Sequence, residues 1–153
     1  GLNVMLGYYK NEEATKAVLD NEGWYHTGDL ATMSADGHVF IRGRIKNMLL
    51  GANGQNVYPE EIENKLNSMT LVSECLVLQK EEKLIALVHP DYEEAEAMGF
   101  SGEDLQSIME QNRGNLNDML PSFSKISAIQ LHEEEFAKTP KKSIKRYLYQ
   151  DAI

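Results

Sequence analysis

Two short segments carry the residues with the clearest capacity for chemistry. In Gly23-Trp24-Tyr25-His26-Thr27-Gly28-Asp29-Leu30 a carboxylate follows a glycine turn. In Ile41-Arg42-Gly43-Arg44-Ile45-Lys46-Asn47-Met48 a β-prone run ends on an arginine, with a lysine two residues on. An aspartate presents two acceptor oxygens, which suits two neighbouring hydroxyls. An arginine fork can hold a phosphate or a ribose. Taken singly, each has an ordinary reading: Asp29 as an Asx turn, Arg44 as an exposed strand-end cation, Lys46 as surface filler. A third segment, Lys138-Thr139-Pro140-Lys141-Lys142-Ser143-Ile144-Lys145-Arg146, reads by itself as a solvated basic run.

Other chemistries lack their residue pattern. His26, His38, His89 and His132 are scattered without metal-ligand spacing, so no metal site is expected. No nucleophile–base–acid triad is visible. The single cysteine, Cys75, lies in an apolar run and reads as a buried structural thiol. The seven methionines read as core filler, and Glu133-Glu134-Glu135 as a solvated turn.

The elements that must position these groups follow from periodicity and punctuation. Residues 12–20 read as a short helix with acidic residues in its first turn. Asp36-Gly37, between Leu30–Met33 and His38–Ile41, is a hairpin signal. Met48–Leu50 reads as a short strand and Ala52–Gln55 as a turn. Pro59 opens a helix at its first position and runs to about Asn67, with Ile62 and Leu66 on one face. Cys75–Gln79 and Lys83–Val88 read as a hairpin. Residues 103–119 form a longer helix, capped by Ser101 or Gly102, and Lys125–Leu131 alternates as a strand. The tail from Ile144 to Tyr149 reads as a short helix. The order predicts an α+β fold, with one helix layer on a sheet.

Composition sets outer bounds. The 153-residue chain is long enough for one domain with a core, or one domain and a remnant. A formal net charge of −9 argues against general nucleic-acid binding. No run approaches the ~18 apolar residues of a membrane span, and no signal peptide is visible. The expectation is a soluble, cytoplasmic protein without an integral membrane segment.

With the segment Gly1–Lys10, the run Gly51-Ala52-Asn53-Gly54-Gln55-Asn56-Val57-Tyr58-Pro59-Glu60-Glu61-Ile62-Glu63 and the basic segment at 138–146, the two opening segments form an ordered set. The set resembles the motifs of the AMP-forming adenylating enzymes, the acyl-CoA synthetase and luciferase superfamily. In style it is closest to the long-chain fatty acyl-CoA ligases. The resemblance implies that Asp29 binds the ribose of ATP and of the adenylate, and that Arg44 contacts ribose or phosphate. It makes Lys46 the hinge of a rotating small domain, and Asn53 and Gly54 contacts to the pantetheine arm of CoA. The last motif departs from the family pattern. Register places Ser143 where relatives carry the lysine that meets the acyl carboxylate and α-phosphate. Lys142, one residue earlier, is the candidate replacement.

The resemblance further implies the domain plan. Residues 1–45 are expected to be the C-terminal strip of the large N-terminal adenylation domain, and residues 46–153 the small mobile C-terminal domain. A chain that opens on Gly1 and is several times shorter than these enzymes reads as a C-terminal fragment, inactive alone. The resemblance implies that in the full enzyme a carboxylic acid, expected to be a fatty acid, attacks the α-phosphate of MgATP, forming acyl-AMP and releasing pyrophosphate. CoA thiol then displaces AMP from the acyl-adenylate. Expected partners are ATP and AMP, CoA, the acid and the chain's own N-terminal domain, with Mg²⁺ held by that missing domain. The alternatives are transfer to a carrier protein, and a non-catalytic adenylate-binding homologue.

Overall fold

A computed structural model describes residues 1–51 and 54–152. The chain divides into two compact units, Gly1–Lys46 and Asn47–Ile153.

The first unit contains helix α1 (Glu12–Val18) and the antiparallel strands β1 (Asp29–Met33) and β2 (Val39–Arg44). Asn11 caps α1 by accepting from the Ala14 N–H at 3.0 Å. The helix ends at Val18, earlier than expected, because Leu19 turns extended and bridges to Tyr25. The Asp36-Gly37 turn closes the hairpin as predicted, with Gly37 at φ 87. No described residue of this unit is buried, and Trp24, Val39, Phe40 and Ile41 all face solvent. A two-stranded ribbon with one short helix has too few layers to enclose a core of its own.

The second unit has a core. Strands β3 (Leu49–Leu50) and β4 (Asn56–Val57) pair antiparallel. Helix α2 (Pro59–Leu66) begins on its proline as predicted. Strands β5 (Val72–Lys80) and β6 (Lys83–Pro90) form the expected hairpin. Helices α3 (Tyr92–Met98) and α4 (Gly102–Asp118) then lead to β7 (Ile126–Leu131), which lies parallel to β6. A parallel partner needs a long crossover, and the two helices supply it. Strand order is β5-β6-β7, so β5 is an edge.

Side chains of β5 and β6 alternate between two apolar clusters. Cys75, Val77, Ala86 and Val88 pack with Ile62 and Leu66 of α2 and with Leu105, Met109 and Leu116 of α4. Leu76, Leu78 and Leu87 pack with Phe136, and Ile144 and Tyr149 join them from the tail. The single helix layer expected from the sequence is therefore incomplete as a description: the tail covers the opposite face of the sheet.

Two further expectations need correction. Helix α3 has no counterpart in the sequence reading, because Ala95 is its only buried residue and leaves no apolar period. Its ends are nonetheless well specified: Asp91 accepts from Glu94 N–H at 2.9 Å, and Gly99 closes it at φ 76. The tail forms only a 3₁₀ turn over Arg146–Leu148 in place of an α-helix, since Arg146 turns inward to a buried partner. Among the described residues, no helix is long and apolar enough to cross a membrane.

Candidate functional site

Hairpin register places Asp29 opposite Arg44, although they are fifteen residues apart in sequence. Arg44 Nε lies 2.9 Å from Asp29 Oδ1, and Arg44 Nη1 donates to the Thr27 carbonyl at 2.8 Å. The Thr27 hydroxyl accepts from Asp29 N–H at 3.1 Å, and Gly28 O accepts from Ile45 N–H at 3.0 Å. Gly28 sits at φ 74, a conformation that costs a side-chain-bearing residue free energy. Each residue of Thr27-Gly28-Asp29 thus has a local task. The threonine ties both strand ends, the glycine makes the turn, and the aspartate pairs with the arginine. The Arg44 side chain remains 52% exposed, so the pair is open to solvent.

The approach to this hairpin is also fixed. Asp20 Oδ1 accepts from the N–H groups of Glu22 and Trp24, at 3.0 and 2.9 Å. Asp20 Oδ2 lies 3.0 Å from His26 Nε2. The Trp24 N–H, with help from His26, holds the Asp20 carboxyl below its ordinary range.

Lys46 lies in a 3₁₀ turn over Ile45–Asn47, at the junction of the two units. It is exposed and forms no ion pair among the described residues. The next residue is anchored: Asn47 Nδ2 donates to Glu60 Oε1 in the first turn of α2 at 2.6 Å.

Asn53 lies outside the described residues. Gly54 is exposed at φ 70 and donates its N–H to Gly51 O at 2.8 Å, while Gly51 N–H donates to Gln55 O at 2.8 Å. Gly51 lines a cavity of about 190 Å³ whose rim also carries Gln79, Glu82, Lys83, Phe123 and Lys125.

The last motif is a hairpin-like loop. Lys138 bridges Ile144, Thr139 N–H donates to Ser143 O at 2.8 Å, and Lys145 N–H donates to Ala137 O at 2.8 Å. Lys142 is at the tip, exposed, at φ 61. Its N–H donates to Thr139 O at 2.8 Å. Ser143, in the adjoining position, is also exposed. Both legs of the loop carry ion pairs: Lys138 with Glu74, and Arg146 with Glu63. The Glu74 carboxylate pushes the Lys138 ammonium above its ordinary range.

Glu63 and Arg146 were not singled out as site residues by sequence reasoning, although each ends a quoted motif. Arg146 Nη2 donates to both Glu63 oxygens at 2.7 Å, and its Nη1 donates to the Val77 carbonyl at 2.8 Å. Glu63 Oε1 also accepts from Val77 N–H at 2.6 Å. Burial pushes the Glu63 carboxyl up against the opposing pull of the guanidinium and the Val77 N–H. Cys75 donates to Glu63 O at 3.5 Å, and burial raises its thiol far above the ordinary range, which leaves it inert. The only sequence signal for the Glu63–Arg146 pair is a carboxylate in a helix and a cation 83 residues later, which no spacing rule connects.

Asp29 and Arg44 are therefore brought together within the first unit, whereas Gly54, Lys142 and Ser143 belong to the second. Among the described residues, no group of histidine, cysteine or acidic side chains is arranged to hold a metal ion.

Residues 46–152 match the AMP-binding enzyme C-terminal domain family, and the chain belongs to it. The family likeness read from the motifs is borne out by relatives. The chain is 50% identical over 66 residues to a putative acyl-CoA synthetase, YngI, of Bacillus subtilis, covering 43% of this chain and 12% of that protein. It is 32% identical over 144 residues to a 3-[(3aS,4S,7aS)-7a-methyl-1,5-dioxo-octahydro-1H-inden-4-yl]propanoyl:CoA ligase of Mycobacterium tuberculosis, covering 87% of this chain and 28% of that one. The chain thus spans less than a third of the length of these relatives. The adenylation domain of a carboxylate reductase from Mycobacterium chelonae shares the fold, with a TM-score of 0.83 at 24% identity over 96% of this chain and 24% of that one. ATP-bound MatB from Rhodopseudomonas palustris gives 0.72 at 25% identity, over 99% of this chain and 29% of that one. The α+β architecture expected of this domain, with a β-rich segment before it, is the one observed.

Proposed function

We propose that the chain is part of an ATP-dependent, AMP-forming acid–thiol ligase that makes an acyl-adenylate and then an acyl-CoA, with a fatty acid as the acid. The observation that carries this reading is the Asp29–Arg44 pair, held across a hairpin whose turn residue is a left-handed glycine. The ion pair engages Asp29 Oδ1 and leaves the lone pairs of Oδ2 for the ribose hydroxyls. Arg44 spends Nε on Asp29 and Nη1 on Thr27, leaving its Nη2 donors for ribose or phosphate.

In this reading, residues 1–45 are a strip of the large adenylation domain and residues 46–153 the mobile domain. The absence of any buried residue in the first unit supports the first assignment: its apolar side chains need covering by further layers. Lys46 serves as hinge, since an exposed lysine is equally well solvated in two backbone states. Rotation about it lets one active site serve two half-reactions. Gly54 and Asn53 are the residues that the family likeness assigns to CoA; the cavity beside Gly51 carries two lysines, Lys83 and Lys125, against one carboxylate, Glu82. Mg²⁺ would enter with ATP as its substrate complex and supply charge neutralisation at the phosphates, with its protein ligands in the large adenylation domain. Lys142 supplies the positive charge that meets the developing negative charge at the α-phosphate.

One observation favours a second reading, an adenylate-binding homologue that does not react. Ser143 stands where the family likeness implies a lysine and offers no charge, while Lys142, one residue earlier, is in the left-handed region at φ 61. The test is product analysis with the full-length enzyme, a fatty acid, MgATP and CoA. The proposal expects stoichiometric AMP and acyl-CoA. Formation of ADP, or acyl transfer only to a carrier protein, would contradict it.

A further inference from the structure

The free edge of β5 carries the strongest unassigned arrangement in the molecule. An edge strand exposes backbone N–H and C=O groups that need partners. At Val77 both outward groups are taken by side chains. Glu63 accepts the N–H at 2.6 Å and Arg146 donates to the carbonyl at 2.8 Å. Arg146 Nη2 then closes the set on both Glu63 oxygens at 2.7 Å. A helix residue and a tail residue together do what a further strand would do, and Glu63 is only 9% exposed.

The consequence falls on the loop three residues before Arg146. Its legs are tied by the Lys138–Ile144 bridge and by Lys145 N–H to Ala137 O. Fixing the second leg therefore fixes the tip that carries Lys142 and Ser143. Apolar packing of Ile144 and Tyr149 on Leu76 and Phe136 holds the tail on the sheet. Such packing is non-directional, and the hydrogen bond that the Tyr149 side chain adds, from Ala137 N–H to its Oη at 2.7 Å, joins the tail to itself and not to the edge of β5. A planar guanidinium bound at three acceptors does tie the tail to that edge. The second tie, Lys138 to Glu74, has a more exposed lysine and is a single point contact.

We propose that Glu63 and Arg146 are positioning residues that orient the Thr139–Ser143 loop for the adenylation half-reaction, a role that rests on the ligase reading above. They touch no substrate and act through the loop.

The test uses the full-length ligase with Arg146→Met, Arg146→Lys and Glu63→Gln. Amide hydrogen exchange across residues 138–146 reads the loop directly. Acid-dependent ATP–pyrophosphate exchange and thioester formation from supplied acyl-AMP read the two half-reactions. For Arg146→Met the expected result is faster exchange confined to the tail. With it comes a fall in adenylation kcat of about 10²-fold, the cost of a misplacement near 1 Å. KM for ATP and the thioester step should stay within about twofold of wild type, a small part of one decade. Arg146→Lys should recover part of the rate. If Arg146→Met does not fold, Glu63→Gln, which keeps an acceptor for Val77 N–H, should show a smaller shift of the same kind. Unchanged tail exchange, or equal loss of both half-reactions alongside a lower melting temperature, overturns the positioning role. A wild-type enzyme without acid-dependent exchange would instead overturn the ligase reading, and the adenylation role with it.

Discussion

Arg44 lies directly across the hairpin from Asp29, with Nε 2.9 Å from Oδ1, and the same guanidinium reaches the Thr27 carbonyl at 2.8 Å. The arginine that would touch the nucleotide thus also sets the carboxylate that would hold its ribose. Loss of either member should disturb the other.

If Asp29 holds the ribose as proposed, Asp29→Ala in the full-length enzyme should impair both half-reactions, since the nucleotide would be held in both. Removing hydrogen bonds to a charged group costs roughly 1.5–3 kcal/mol, or about one to two decades in nucleotide affinity. Arg44→Lys keeps the charge but loses the fork, and should fall in the same direction by less. Unchanged KM for ATP in Asp29→Ala would remove the ribose assignment.

This hairpin was legible from sequence because its determinants are local: a DG turn, two β-prone runs, and a glycine before the aspartate. The same holds for α2, with Pro59 at its start, and for α4, with Ser101 as its cap. Helix α3 was not legible, because its specification lies in Asp91 and Gly99 at its ends and not in an apolar face. The tail was misread for a different reason. Ile144 to Tyr149 has the composition of a helix, but Arg146 is drawn to Glu63 and Ile144 and Tyr149 to the sheet. Those partners are distant in sequence, and local propensity carries no trace of them.

Lys46→Pro should separate the two half-reactions. Proline locks φ near −65° and removes a backbone donor. Thioester formation from supplied acyl-AMP should fall much further than pyrophosphate release. Equal loss in both would indicate destabilisation in place of a blocked hinge.

Lys142 offers a test in which stability and activity move apart. A left-handed conformation costs a non-glycine residue roughly 1–2 kcal/mol, so Lys142→Gly should leave thermal stability unchanged or slightly higher. Adenylation should nonetheless drop by about 10²–10³, the usual cost of one preorganised donor to a transition state. Ser143→Lys should be neutral or faster. If Lys142→Gly adenylates normally, the cation is another residue; parallel Lys141→Ala and Lys145→Ala variants would show which.

The start of α4 should titrate. Ser101 donates to Asp104 Oδ2 from Oγ at 2.6 Å and from its N–H at 2.8 Å. The Ser101 hydroxyl, then the N–H, hold the Asp104 carboxyl below the 3.8 of an ordinary aspartate. A carboxyl depressed in the folded state contributes stability that is complete above its unfolded value and lost as pH falls through the folded one. Melting curves of wild type and Asp104→Asn should therefore differ near neutrality and converge below about pH 4. A constant offset down to the lowest pH would show that the charge plays no part in the cap.

An enzyme that activates a carboxylic acid as its adenylate, as proposed for the full-length protein, forms that adenylate reversibly from the acid and ATP. Acid-dependent exchange of labelled pyrophosphate into ATP, without CoA, measures that step alone. The full-length enzyme should catalyse the exchange with a fatty acid, and Asp29→Ala should reduce it by about one to two decades. No exchange with any carboxylic acid, or full exchange in Asp29→Ala, would contradict the account.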